Sequence, residues 1–261
     1  MINLEKITSV HNQHVKDWKK LQTKKQRKKT NTYLLDGWHL VEEAINAGNQ
    51  IVALIATEEQ LALHDDIVTR EFPIYEVTNE IMATITDTVS PQGIAAEVEL
   101  PGDRFTKPEN SHGAWLFLDR VQDPGNIGTM IRTADAAGFA GVVASQKTAD
   151  LFSPKIVRAM QGSQFHLHLR QGDLVDWITL FKTEGHPVYG TQLNPQALNF
   201  REVTPVEDFA LIMGNEGHGM DAATLNETTA NLYIPMNGQA ESLNVAISAG
   251  ILMFQLNQKI K

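Results

Sequence analysis

The sequence predicts an α/β protein of two domains: a C-terminal, largely parallel sheet with helices on both faces and a smaller N-terminal α/β domain. Three observations carry this. Short apolar runs alternate with segments of helical period along most of the chain, which is the pattern of strands joined through helices. The C-terminal runs, Trp115-Leu116-Phe117-Leu118 for one, are continuous in apolar residues, as strands buried on both faces are. At 261 residues the chain exceeds a typical single domain of about 100–150 residues. Residues 101–112, PGDRFTKPENSH, carry two prolines, a glycine and no apolar period, so the expected division is 1–100, a linker 101–112, and 113–261.

In chain order, 13–29 reads as one helix, with Val15, Trp18 and Leu21 or Gln22 near helical spacing. Strands are expected at Tyr33–Leu35, Ile51–Ala56, Ile74–Val77 and Gly93–Leu100, and helices at Trp38–Ala47, Glu58–His64 and Glu80–Ile85. Gly37 and Gly48 punctuate helix ends. Beyond the linker, strands are expected at Trp115–Leu118, Gly141–Ala144, Phe165–Leu169, Val188–Thr191, Leu211–Met213 and Leu232–Pro235. The helices between and after them are Ile127–Ala137, Pro154–Met160, Leu174–Thr183 and Leu243–Gln258. In such sheets ligands sit beyond the carboxyl ends of the strands.

Composition narrows the chemistry. There is no cysteine, which excludes disulfides, thiolate catalysis and cysteine-ligated zinc or iron–sulfur sites. No apolar run approaches the roughly 20 residues a bilayer requires, and Met1–Lys20 lacks the apolar segment of a secretion signal. A cytoplasmic protein is expected. Net charge is −9, but residues 1–36 hold nine Lys/Arg against three Asp/Glu, a net of +6, leaving −15 on the remainder. Lys16, Lys19 and Lys20, with Lys24, Lys25, Arg27, Lys28 and Lys29, decorate the first helix. Such a run meets phosphates and releases their counterions. The competing reading is a solvated surface helix.

Three later bends carry candidate chemistry. In LDRVQDPGNIGTMIRTADAAG, residues 118–138, a strand enters a Pro-Gly turn and then a helix; Asn126 lies where it could cap that helix, with Arg132 and Asp135 along its flank. The plain alternative is a capped helix with an Arg132–Asp135 surface pair. In ALIMGNEGHGM, residues 210–220, an apolar strand ends in three glycines within six residues, permitting close backbone approach to a ligand or simply a tight turn. In IPMNGQAESLNVAIS, residues 234–248, a strand end breaks at Asn237-Gly238 before an apolar helix that Ser242 or Asn244 could cap. No G-x-G-x-x-G or G-x-x-x-x-G-K-[ST] occurs, which weighs against a nucleotide-dependent oxidoreductase.

Together NIGTMIRTADAAGF, IMGNEGHGM and IPMNGQAESLNVAIS resemble, in order and spacing, the three motifs of the SpoU (TrmH-type) branch of the SPOUT RNA methyltransferases over about residues 114–258. The basic start and LLDGWHLVEEA resemble the substrate-binding domain often joined to it, which has the fold of a ribosomal protein that binds kinked RNA. The resemblance implies S-adenosylmethionine (AdoMet) as methyl donor and a ribose 2′-hydroxyl of a structured RNA, ribosomal more than transfer RNA, as acceptor. It also implies a trefoil knot made by the C-terminal segment, and a homodimer with RNA sites at its interface. It places the donor on Thr191, Gly214, Asn215, Ile234, Met236, Ser242 and Leu243, and the reacting residues at Asn126, Arg132, Glu216 and Asn244. A non-catalytic RNA-binding or ribosome-assembly protein of the same fold is the rival.

The resemblance assigns Arg132 to activating the hydroxyl. A guanidinium has a pKa above about 12 and is a poor base, so Arg132 is better suited to holding a phosphate and stabilising a forming alkoxide. Glu216 or a phosphate oxygen is left to take the proton. No metal is expected. His166 and His168 alternate along an expected strand but lack carboxylate partners at recognisable spacing. Glu42-Glu43 and Asp65-Asp66 read as solvated charge.

Overall fold

The computed structural model describes residues 4–65, 67, 71–86, 88, 90–107, 110–192 and 194–257. Asp66, residues 108–109 of the expected linker and Gln258 at the expected end of the last helix lie outside the described residues. The chain divides into two compact units, Met1–Leu100 with Phe152–Phe165, and Pro101–Leu151 with His166–Lys261.

In the first unit β1 (Leu4–Ile7), β2 (Thr32–Asp36), β3 (Ile51–Ala56), β4 (Ile74–Val77) and β5 (Ile94–Glu99) form one sheet in the order β1-β4-β3-β5-β2. The β1–β4 and β4–β3 pairs are parallel, and β5 is antiparallel to both neighbours. The sequence reading missed β1. The expected basic helix is two helices, α1 (Gln13–Lys20) and α2 (Lys24–Thr30). They break because Thr23 adopts extended backbone and accepts from the Gln26 N–H, a helix start placed inside the lysine run. Helices α3 (Trp38–Asn46), α4 (Glu58–Leu63) and α5 (Asn79–Thr86) follow their strands. Val15, Trp18 and Leu21 pack with Ile55, Ile81 and Ile85 in a buried cluster, each side chain contributing about 1.5–3 kcal/mol.

Arg27 departs from its expected role. It is 3% exposed and donates to the Leu21 carbonyl at 2.6 Å, closing the α1–α2 turn instead of presenting its charge to a phosphate. Lys24, Lys25, Lys28 and Lys29 remain exposed.

Helix α7 (Pro154–Met160) belongs to the first unit, although sequence order groups it with the second half. Tyr33 meets Phe152 edge to face at 5.0 Å, and Arg158 lies 3.7 Å from Asp36. A helical period shows which face is apolar but not which element covers it.

The second unit holds β6 (Ala114–Leu118), β7 (Gly141–Ser145), β8 (His168–Gly172), β9 (Val188–Gly190), β10 (Leu198–Asn199), β11 (Phe209–Met213) and β12 (Ala230–Tyr233). All pair in parallel, in the order β10-β12-β9-β11-β6-β7-β8. Helices α6 (Pro124–Ala136), α8 (Leu174–Thr183), α9 (Ala222–Asn226) and α10 (Val245–Leu256) accompany them. Burial of every β6 and β11 residue explains their unbroken apolar runs. Trp115, Phe117, Trp177 and Phe181 fill one buried cluster between sheet and α8. The expected strand at Phe165–Leu169 is displaced to His168–Gly172, because Ser163–Phe165 winds into a 3-10 turn. Part of the expected linker is fastened to this edge strand: Gln171 N–H donates to the Arg104 carbonyl at 2.7 Å, and Arg170 pairs with Asp103.

Candidate functional site

The three bends lie at the carboxyl ends of β6, β11 and β12, in the second unit. Met213 and Leu118 are paired at the ends of β11 and β6, so the chains leaving them start side by side. After β6, Arg120 adopts a left-handed φ of 59°, unusual for a side-chain-bearing residue. It is held by Asp119 at 3.5 Å and Asp221 at 3.3 Å, while its carbonyl accepts from Asn215 Nδ2 at 2.9 Å. Asp119 is 2% exposed and also accepts from the Asp221 N–H. Burial pushes its carboxyl up, against the opposing pull of that N–H and of Arg120. Asp119 and Arg120 lie in a stretch the sequence singles out, but no spacing rule assigns them this fastening role.

After β11, the Asn215 and Gly219 backbones exchange two 2.9 Å hydrogen bonds, and Asn215 Oδ1 accepts from Gly217 and His218 N–H at 3.0 Å. The glycines are steric necessities here. A Cβ on Gly214 would lie 2.6 Å from the Gly219 carbonyl carbon, and Gly219 has φ +67°.

Asp123 caps α6, accepting from the Asn126 N–H at 2.7 Å, with Pro124 in the first turn. This corrects the expectation that Asn126 is the cap, and it frees the Asn126 side chain. Asn126 Nδ2 donates to Glu216 Oε1 at 3.2 Å, and Asn126 Oδ1 accepts from Asn244 Nδ2 at 3.0 Å. Asn244 itself caps α10, accepting from the Ala246 and Ile247 N–H groups at 2.9 and 3.3 Å. Glu216 further accepts from the Gln122 and Asp123 N–H groups at 3.3 and 3.2 Å. Burial pushes the Glu216 carboxyl up, but its own N–H, Asn126, Asp123 and Gln122 together outweigh that and hold it below the ordinary range. A carboxylate so stabilised is a weak proton acceptor at neutral pH, which counts against Glu216 as the base.

Beside this relay opens a cleft of about 720 Å³, within the range of small-molecule sites. Thr191, Gly214, Asn215, Ile234, Met236, Ser242 and Leu243 all line it, with Glu216 and Asn244. Thr191 is fixed by its hydroxyl, which donates to the Ile212 carbonyl at 2.8 Å. Glu241 and Ser248 also face the cleft and escaped the sequence reading. Among the described residues the lining holds two carboxylates, Glu216 and Glu241, and no lysine, arginine or histidine.

Neither Asn126 nor Arg132 lines the cleft. Arg132 is exposed on α6, which packs against α10. It does not form the alternative pair with Asp135, whose carboxylate takes His166 at 2.9 Å. His166 thus has a carboxylate neighbour after all. His168 instead stacks near Trp115, ring centroids 6.2 Å apart, so the two histidines do not form a pair.

Comparison with known proteins gives two domain matches. Residues 113–254 match the SpoU rRNA methylase family, and residues 12–96 match the MRM3-like substrate binding domain. The chain is 46% identical over 97% of its length, and 99% of the relative's, to the 23S rRNA (guanosine(2553)-2'-O)-methyltransferase RlmP of Bacillus subtilis (strain 168). It is 33% identical, over 98% of its length and 95% of the relative's, to an uncharacterized tRNA/rRNA methyltransferase of Synechocystis. The crystal structure of an AdoMet-bound rRNA methyltransferase from Sinorhizobium meliloti superposes with a TM-score of 0.87 at 32% identity, covering 99% of both chains.

Proposed function

The chain belongs to the SpoU rRNA methylase family, and from that premise we propose that it transfers a methyl group from AdoMet to a ribose 2′-hydroxyl of ribosomal RNA. The observation that carries this reading is the charge of the cleft. A donor whose sulfonium leaves it net positive is favoured beside Glu216 and Glu241, whereas the pyrophosphate of a dinucleotide would meet two carboxylates without a cation.

When bound, the donor supplies an electrophilic methyl group on sulfur. The chain's contribution is alignment. Ile234, Met236 and Leu243 provide apolar walls, Thr191, Gly214, Asn215 and Ser242 provide the polar rim, and the Asn244–Asn126–Glu216 relay fixes three loops around them. Arg132 carries the charge that steadies the phosphate and the forming alkoxide. The hydroxyl proton leaves to Glu216 or to a phosphate oxygen of the RNA as the oxygen–carbon bond forms. Lys24, Lys25, Lys28 and Lys29 offer exposed charge for the RNA backbone.

A homodimer is part of the same reading. Ile247, Ile251 and Phe254 are 55, 36 and 56% exposed along α10, an apolar stripe that a second copy would cover. The knot and a cytoplasmic location belong to it too. No helix among the described residues is long and apolar enough to cross a membrane. The test is calorimetry with AdoMet and with NAD, beside tritium transfer from labelled AdoMet to ribosomal and transfer RNA. Binding of AdoMet alone, with label in ribosomal RNA, is expected. Binding of NAD in its place, or label confined to transfer RNA, would overturn the donor or the acceptor respectively.

A further inference from the structure

At the opposite end of the seven-stranded sheet, three residues far apart in sequence meet. His112 precedes β6, His186 precedes β9 and Asp208 precedes β11. One ligand atom from each lies within 4.8 Å of the other two. His112 Nδ1 is 3.8 Å from Asp208 Oδ1, and the two imidazole rings are 6.4 Å apart, centroid to centroid. We propose that His112, His186 and Asp208 form a binding site for a divalent transition-metal ion of the zinc class, remote from the cleft.

The donor set selects the class of ion. Two imidazoles and one carboxylate suit zinc, cobalt or nickel, whereas calcium and magnesium prefer oxygen donors alone. The supporting groups are already anchored. The Gly113 N–H donates to Asp208 Oδ1 at 2.6 Å. Glu184 accepts from the Ser111 N–H and hydroxyl at 2.8 and 2.7 Å, and its carboxylate lies 3.7 Å from His186 Nε2. Glu184 is thereby placed to orient His186 as an outer partner. Among the described residues no lysine or arginine pairs with Asp208 or Glu184, so the imidazoles are the neighbours their carboxylates face. Ligands about 2.1 Å from zinc stand roughly 3.4 Å apart in a tetrahedron. The contraction needed from within 4.8 Å is small, and His112, whose side chain is 74% exposed, can take up part of it. A bound ion would tie together the entries to three adjacent central strands.

The test is equilibrium dialysis of the metal-free full chain with Zn²⁺, with Co²⁺ absorption as a reporter of ligand geometry and thermal melting as a second readout. We expect saturable uptake of one ion per chain, a cobalt spectrum of low-coordinate nitrogen–oxygen type, and a melting temperature raised by Zn²⁺ but not by Mg²⁺. His186→Ala and Asp208→Asn should each lower Zn²⁺ affinity at least tenfold and remove the thermal shift. His168→Ala should retain both. Absence of saturable uptake by the wild-type chain, or uptake unchanged in both His186→Ala and Asp208→Asn, overturns the proposal and leaves the cluster as loose ion pairs.

Discussion

Asn244 Nδ2 donates to Asn126 Oδ1 at 3.0 Å, joining the starts of two helices that lie 118 residues apart in the chain. Because Asn126 passes the contact on to Glu216 at 3.2 Å, three separate bends share one hydrogen-bonded strap. Asn244 does two jobs, capping α10 with its oxygen and reaching Asn126 with its nitrogen. Serine can do only the first.

Asn244→Ser should therefore keep most of the cap, since serine caps about as well as asparagine, and lose the strap. The expected result is a melting temperature within a few degrees of wild type with methyl transfer reduced at least tenfold. Asn244→Ala should lose about 1 kcal/mol more in stability. Equal activity in wild type and Asn244→Ser would show that the strap is not needed.

Glu216 gives a pH signature. Its folded pKa lies below the ordinary 4.5, so its contribution to stability is fully present above about that pH and is lost as pH falls through the depressed value. Relative to Glu216→Gln, wild type should melt higher at neutral pH, and the gap should close as the solution is acidified below the ordinary value. A gap independent of pH in that window contradicts the assignment. Paired thermal melts across pH settle it.

Arg132→Ala should abolish methyl transfer while leaving AdoMet affinity within about twofold, because Arg132 is outside the cleft lining. Calorimetry beside a tritium-transfer assay separates the two. Loss of donor binding would place Arg132 in the donor site instead.

Gly214→Ala should fail at the donor step. Its Cβ would meet the Gly219 backbone, which cannot yield as a flexible side chain could. About 1–3 kcal/mol of strain is expected, with AdoMet affinity lowered well beyond the drop in melting temperature. Normal donor affinity in a folded variant would mean the loop relaxes freely.

The lysines and Arg27 should separate cleanly. Replacing Lys24, Lys25, Lys28 and Lys29 together by Ala should reduce the slope of log affinity for RNA against log salt by up to about 3, with little change in melting. Arg27→Ala should do the reverse, lowering the melting temperature because a buried carbonyl loses its donor. Filter binding at several salt concentrations, with thermal melts, distinguishes them.

Much of this protein is legible in one dimension. The continuous apolar runs of β6 and β11 announce buried parallel strands because both of their faces are covered. The glycines after β11 mark a bend where side chains would collide, and steric exclusion is a property of residue type. Less legible were the partners. Residues 13–29 read as one helix, yet Thr23 starts a second helix within them and leaves Arg27 inside. The sequence offers Asn126 as a cap, and only the fold shows Asp123 taking that place.

From the sequence alone come the alternation of strands and helices, the basic N-terminal segment, and the three bends with the residue types they need, because local sterics, period and charge are written residue by residue. The tertiary structure decided which of those residues meet: Asn244 with Asn126 and Glu216, Arg27 with a carbonyl, His112 with His186 and Asp208. Such meetings depend on how strands order themselves in a sheet. That order is set by the packing of the whole chain and leaves no periodic trace in any one segment.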